Sequence, residues 1–137
     1  MPIITVSVTG KPDPALSARI AAEVTSLTQQ HLRKDPTVTA VAVQYVDPVH
    51  WFAGGRSLAE QGMNSVWLDI KVVDGTNTKT EMAAYLEASF AAFGRILGAV
   101  HQESYILVHE VPASAYGYGG VTQEFRFIDQ RLTRTAA

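Results

Sequence analysis

The 137-residue chain contains no cysteine. That excludes a disulfide framework, a thiolate nucleophile and a thiolate metal ligand. It has little histidine: His31, His50, His101 and His109 stand at no metal-ligand spacing, and no HExxH run is present. Neither a metal nor a cofactor is therefore implied. Lys and Arg are few and scattered, and the formal charge is −2, so the electrostatic footprint of a nucleic-acid binder is missing. No stretch approaches the roughly 20 apolar residues that span a bilayer, and Met1-Pro2-Ile3-Ile4 carries no basic leader. The expectation is a soluble, cytoplasmic protein with no nucleic-acid or membrane partner.

What is present is enough apolar material for one core. At 47% hydrophobic content, residues 1–137 suit a single domain. The chain reads as two copies of one strand–helix–strand unit, over about 2–62 and 63–130. In the first, Ile4, Val6 and Val8 alternate with Thr5 and Ser7 as a half-buried strand. Asp13 then caps a helix whose first residue is Pro14, and Leu16, Ile20, Val24 and Leu27 recur on one face. Lys34-Asp35-Pro36 ends that helix, and Val38 to Val46 reads as a second strand.

The second copy repeats this order. Val66, Leu68, Ile70 and Val72 alternate with polar or aromatic neighbours, and Asp74-Gly75 turns the chain. Thr78 and Glu81 form a capping box ahead of Met82, Leu86, Phe90, Phe93 and Leu97. Ser104 to Val111 supplies the fourth strand. The tails match too: Val46 to Gly55 aligns without a gap on Val111 to Gly120, each ending in Gly-Gly after an aromatic. Glycines there permit the positive φ of a tight turn into a short extra strand.

Two right-handed units in tandem predict an α/β (α+β) fold, a four-stranded mixed sheet with both helices on one face. The opposite face mixes Ser7, Asp69 and Lys71 with apolar residues. Burial against other subunits in a closed ring, with a trimer as one solution, accounts for such a surface.

Pro2 is the candidate reactive group. Removal of Met1 would leave its ring nitrogen a secondary amine, and such an amine acts as a base. Pro2 at the head of the first strand, the β-α-β repeat and the hairpin run Tyr116-Gly117-Tyr118-Gly119-Gly120 together resemble the tautomerase superfamily. In layout the chain is most similar to the cis-3-chloroacrylic acid dehalogenase group, and Glu110-Val111-Pro112-Ala113 is close to that group's fourth strand end. The resemblance implies a cofactor-independent isomerase that moves protons on a small enol or 2-oxo acid, assembled as a homotrimer.

It also exposes departures. Pro12 and Ala40 occupy the positions of the 4-oxalocrotonate tautomerase arginines, with Lys11 adjacent to the first. Val73, Thr76, Gln29 and Tyr118 stand where the dehalogenase group carries two arginines, a histidine and a glutamate. Hydrolytic dehalogenation thereby loses its carboxylate clamp and its water-activating acid. Lys34 and Tyr105 match a pocket lysine and a pocket tyrosine of the macrophage migration inhibitory factor group, whose tyrosine reaches a neighbouring subunit's pocket.

Candidate residues are therefore Pro2 as base and Lys34, Thr76, Tyr105 and Tyr118 as substrate-binding groups. Each has a plainer reading: Lys34 as a helix-end cation, Thr76 as a turn residue, the tyrosines as packing. Two other accounts fit the same pattern. One is a non-catalytic ferredoxin-like module that binds a small effector or partner; the other is a tautomerase-like protein that has lost activity.

Overall fold

The computed structural model describes residues 2–136, without the side chain of Ala136. Strand β1 (Ile3–Thr9) places Ile4, Val6 and Val8 on one face, each 0% exposed, as their alternation dictates. Helix α1 (Pro14–Leu32) opens where Asp13 accepts from the backbone N–H groups of Ala15 and Leu16, at 3.0 and 3.3 Å. It closes on Arg33, whose φ of 57° is left-handed and whose N–H bonds back to Gln29. Residues Pro36–Val38 form a 3-10 turn, so strand β2 runs from Ala40 to Val46 and not from Val38. The Asp35 carboxylate, which accepts from the Thr37 backbone at 2.9 Å, holds that turn.

A hairpin of β3 (Phe52–Ala53) and β4 (Arg56–Ser57) follows, then a single-turn helix α2 (Leu58–Gln61) capped by Ser57. The second copy comprises β5 (Val66–Val73), α3 (Lys79–Leu97), β6 (Tyr105–Val111), a hairpin of β7 (Gly117–Tyr118) and β8 (Val121–Thr122), and helix α4 (Gln123–Ala136). Both capping-box bonds at Thr78 and Glu81 are formed. Gly54-Gly55 and Gly119-Gly120 all have positive φ, between 63° and 79°, so both paired glycines are demanded by the backbone.

The main sheet has the order β2-β1-β5-β6, with parallel outer pairs and an antiparallel centre. Helices α1 and α3 cover one face, and the core lies between: Ile20, Val24 and Leu27 from α1, Tyr85, Ala92 and Phe93 from α3, and the inward strand residues. Leu86, expected in the core, is 38% exposed. Tyr85, one position earlier, falls on the buried stripe with Ser89, Ala92 and Phe93, and its hydroxyl is satisfied there by Thr28 at 2.9 Å.

The expected fold is present, with two helices beyond it, the single turn α2 and the longer α4. Helix α4 was not anticipated, although Thr122 caps it by accepting from Phe125 N at 3.0 Å, as Ser57 caps α2 about 65 residues earlier. It is amphipathic, yet Phe125, Phe127, Ile128 and Leu132 are 50–64% exposed. The uncovered sheet face is similarly apolar in part, with Ile3, Trp67, Tyr105 and Leu107 all above 40% exposure.

Candidate active site

Pro2 is buried at the head of β1. Its carbonyl accepts from Ala40 N at 3.2 Å, which continues the parallel β1–β2 ladder and fixes the residue beside the start of β2. A cavity of about 490 Å³ opens there. Its walls come from Pro2 and Ile3, from the segment Thr37 to Ala40, from the hairpin residues Tyr116, Gly117 and Tyr118, and from Gln123 at the head of α4. The two hydroxyl-bearing threonines are engaged with the preceding turn: Thr37 donates to the Asp35 carboxylate at 2.7 Å, Thr39 to the Asp35 carbonyl at 2.8 Å. No charged side chain is among the lining residues described. Burial pushes the Tyr116 phenol up from its ordinary pKa.

Lys34 and Thr76 lie at the same end of the sheet, outside that lining. Residues at the start of β1 pair with the far end of β5, Ile3 opposite Lys71, so the turn after Val73 falls next to the head of β1. There Lys34 Nζ donates to Thr76 Oγ1 at 2.9 Å, and Thr76 Oγ1 donates to the Val73 carbonyl at 2.6 Å. The threonine hydrogen is thus spent on the backbone and one of its two lone pairs on the lysine. Burial, and secondly the nearby Arg33 charge, lower the Lys34 pKa from 10.5. Arg33 itself is committed to Glu81, Nε to Oε2 at 2.7 Å. This pairing and the Thr78 N–H hold Glu81 at a pKa of about 2.

The four other candidates thus divide. Tyr118 shares a cavity with Pro2. Lys34 and Thr76 touch each other at the Pro2 end. Tyr105 is separated from Pro2 within one chain: it pairs with Trp67, whereas His109, four residues further along β6, is level with Ile3 through Lys71. Four residues of strand are about 13 Å. The Tyr105 hydroxyl donates to Glu103 Oε2 at 2.5 Å, and its ring lies 6.1 Å from that of Trp67. Within one chain the tyrosines that line the Pro2 cavity are therefore Tyr116 and Tyr118 of the hairpin, and Tyr105 is not among them.

Three of the wall residues, Thr37, Thr39 and Gln123, were not singled out in the sequence, nor was Arg126 behind Tyr118. The parallel pairing of β1 with β2 was the available signal for the first two, since it brings the approach to β2 against Pro2. Among the described residues no cluster of His, Asp and Glu has the makings of a metal site, and no helix is long and apolar enough to cross a membrane.

Solved structures of the same shape were found. A native fused 4-OT superposes with a TM-score of 0.78 at 22% identity, covering 90% of this chain and 97% of its own. A second fused 4-OT, a symmetric trimer, matches at 0.77 and 15%, covering 89% and 96%. A macrophage migration inhibitory factor-like protein from Entamoeba histolytica matches at 0.73 and 17%, covering 88% and 97%. No family model and no curated protein sequence matches the chain. The order β2-β1-β5-β6, the two covering helices and these likenesses agree: the chain has the fold of the tautomerase superfamily.

Proposed function

We propose that this chain is a proline-based tautomerase that moves a proton on a small enol or 2-oxo acid. The observation that carries the reading is the buried Pro2 facing a cavity walled by two tyrosines. With Met1 removed, the ring nitrogen becomes a secondary amine in surroundings of Ile3, Val38 and Ala40, and apolar burial favours its neutral form. The neutral amine takes the proton of an enol hydroxyl, the electron pair left on oxygen forms the carbonyl, and the C=C π pair takes the same proton back from the resulting ammonium to form the new C–H bond. One proton is borrowed and one returned, so the cycle consumes no cofactor.

The negative charge that builds on the substrate oxygen needs a donor, and the Tyr118 hydroxyl is our choice. Lys34, held by Thr76 at the same sheet end, is the cation for the substrate carboxylate. Arg33 is less suited, because Glu81 already occupies its guanidinium. The exposed apolar groups of the outer sheet face and of α4 favour a homotrimer, the assembly of the second fused 4-OT. In such a ring Tyr105 belongs to an interface and serves a neighbour's pocket.

Two measurements test this. The intact mass of natively expressed protein reports whether Met1 is lost, and the ketonisation of enol-phenylpyruvate reports turnover. Loss of Met1 with turnover supports the enzyme. Retained Met1 with no turnover, alongside saturable binding of a small acid, favours the effector-binding module.

A further inference from the structure

Tyr118 does not hold its own position in the cavity wall. It lies in a two-residue strand and is 41% exposed, which leaves its ring little to pack against. Arg126, on the first turns of α4, grips it twice. The guanidinium carbon lies 3.9 Å from the ring centroid, and Nη2 donates to the Tyr118 carbonyl at 2.9 Å. Gly119 lies alongside: a Cβ at that position would stand 3.0 Å from Nη2, a contact the flexible side chain relieves by a small shift, and its φ of 63° is what disfavours other residues. Arg126 Nε is buried with no hydrogen-bond partner among the described residues, a cost that the stacked ring and the carbonyl bond must offset. Three residues before it on the same helix, Gln123 lines the Pro2 cavity directly.

We infer that Arg126 is a positioning residue that holds the Tyr118 hydroxyl where a substrate carbonyl oxygen accepts from it. The inference rests on the tautomerase reading of the Pro2 site. It gives α4 a task within the chain: the helix is the brace of the cavity's hairpin wall. A lysine at position 126 keeps a cation near the ring but not the planar double grip, so it restores only part of the effect.

The test is a double-mutant cycle on the full chain, with enol-phenylpyruvate as substrate. Tyr118→Phe and Arg126→Met should each lower kcat/KM at least fivefold, the double variant should be no worse than Tyr118→Phe alone, and Arg126→Lys should fall between Arg126→Met and the unaltered chain. A purely structural role predicts losses that multiply and that follow the melting temperature. Multiplied losses, or an Arg126→Met variant as active as the unaltered chain, overturn the proposal. Should Arg126→Met fail to fold, Arg126→Lys carries the cycle, and full activity in it is the overturning result.

Pro2→Ala in the same assay isolates the parent reading, which fails if that variant turns over normally or if no variant turns over at all. The affinity for phenylpyruvate, followed by NMR, still decides the role of Arg126 in that event. Arg126→Met should weaken binding at least threefold, and equal affinity overturns the inference.

Discussion

Lys34 donates to Thr76 at 2.9 Å and so joins the end of α1 to the turn after β5. The two residues stand 42 apart in sequence and meet because β1 and β5 are antiparallel neighbours. The contact places a half-buried ammonium at the same end of the sheet as Pro2.

If Lys34 holds the substrate carboxylate, Lys34→Met should raise KM for phenylpyruvate about tenfold or more while leaving kcat within a fewfold, the pattern of lost binding common to ground and transition states. The pH dependence has a definite sign. The folded pKa lies below 10.5, so the cation is lost, and affinity falls, at a lower pH than for an ordinary lysine. Folding stability moves the other way: its penalty for the buried charge is present at neutral pH and is relieved as pH rises through that window. An unchanged KM, or an affinity flat to pH 10.5, removes Lys34 from the site.

Glu81 predicts acid behaviour. Its pKa is depressed from 4.5 to about 2 by Arg33 first and by the Thr78 N–H next. The associated stability is fully present above about pH 4.5 and is lost as pH falls toward 2. Glu81→Gln keeps the shape and an acceptor oxygen, so it should be less stable than the unaltered chain at pH 6 and should show a shallower loss between pH 4.5 and 2. Parallel denaturation curves for the two proteins across that range would dismiss the pair.

The interior offers an independent check. Thr28 donates its hydroxyl hydrogen to the Val24 carbonyl at 2.7 Å, so the Tyr85 hydroxyl must be the donor in the 2.9 Å contact between them. Desolvation raises the Tyr85 pKa to about 12. Tyr85→Phe should cost about 1 kcal/mol of stability in urea unfolding, the usual worth of one buried hydrogen bond. A gain in stability would mean that the hydroxyl is a burden on the core.

The strands and both long helices were legible because each has an environment on one side only. Ile4, Val6 and Val8 alternate since every second residue meets the core, and Asp13 and Thr78 mark helix starts because the first N–H groups need acceptors. Helix α4 was not legible for the opposite reason. Its apolar residues Phe125, Ile128 and Leu132 are helically spaced but meet no core of their own chain, and the matching element of the first copy, α2, is only four residues long. That Pro2 stands at the head of a strand could be read from the alternation that follows it. The grip of Arg126 on Tyr118 could not, because eight residues across a hairpin and a helix start follow no simple period.

Assembly is the next expectation. Ile3, Trp67, Tyr105 and Leu107 on the sheet and Phe125, Phe127, Ile128 and Leu132 on α4 are large apolar residues left exposed on one sheet face and one helix, the kind of surface that marks an interface. Sedimentation at micromolar concentration should give a trimer. A monomer there would end any part for Tyr105 in a neighbour's pocket, while leaving the Pro2, Tyr118 and Arg126 arrangement intact.

Pro2 itself gives the most direct test of chemistry. Alanine at this position would keep the carbonyl that Ala40 N bonds at 3.2 Å, so the start of β1 and the melting temperature should barely change. The nitrogen would become a primary amine of different geometry and basicity. We expect kcat/KM for enol-phenylpyruvate to fall at least about tenfold, or roughly 1.4 kcal/mol of transition-state stabilisation. A chain that retains Met1 should fall further, because its Pro2 nitrogen is then an amide whose lone pair is delocalised into the carbonyl and no longer serves as a base. The comparison separates chemistry from packing, since both altered proteins keep the β1–β2 ladder. If each ketonises substrate at the unaltered rate, the ring nitrogen takes no part in proton transfer and Pro2 is an ordinary strand-initiating proline. The effector-binding module would then be the better account of the cavity.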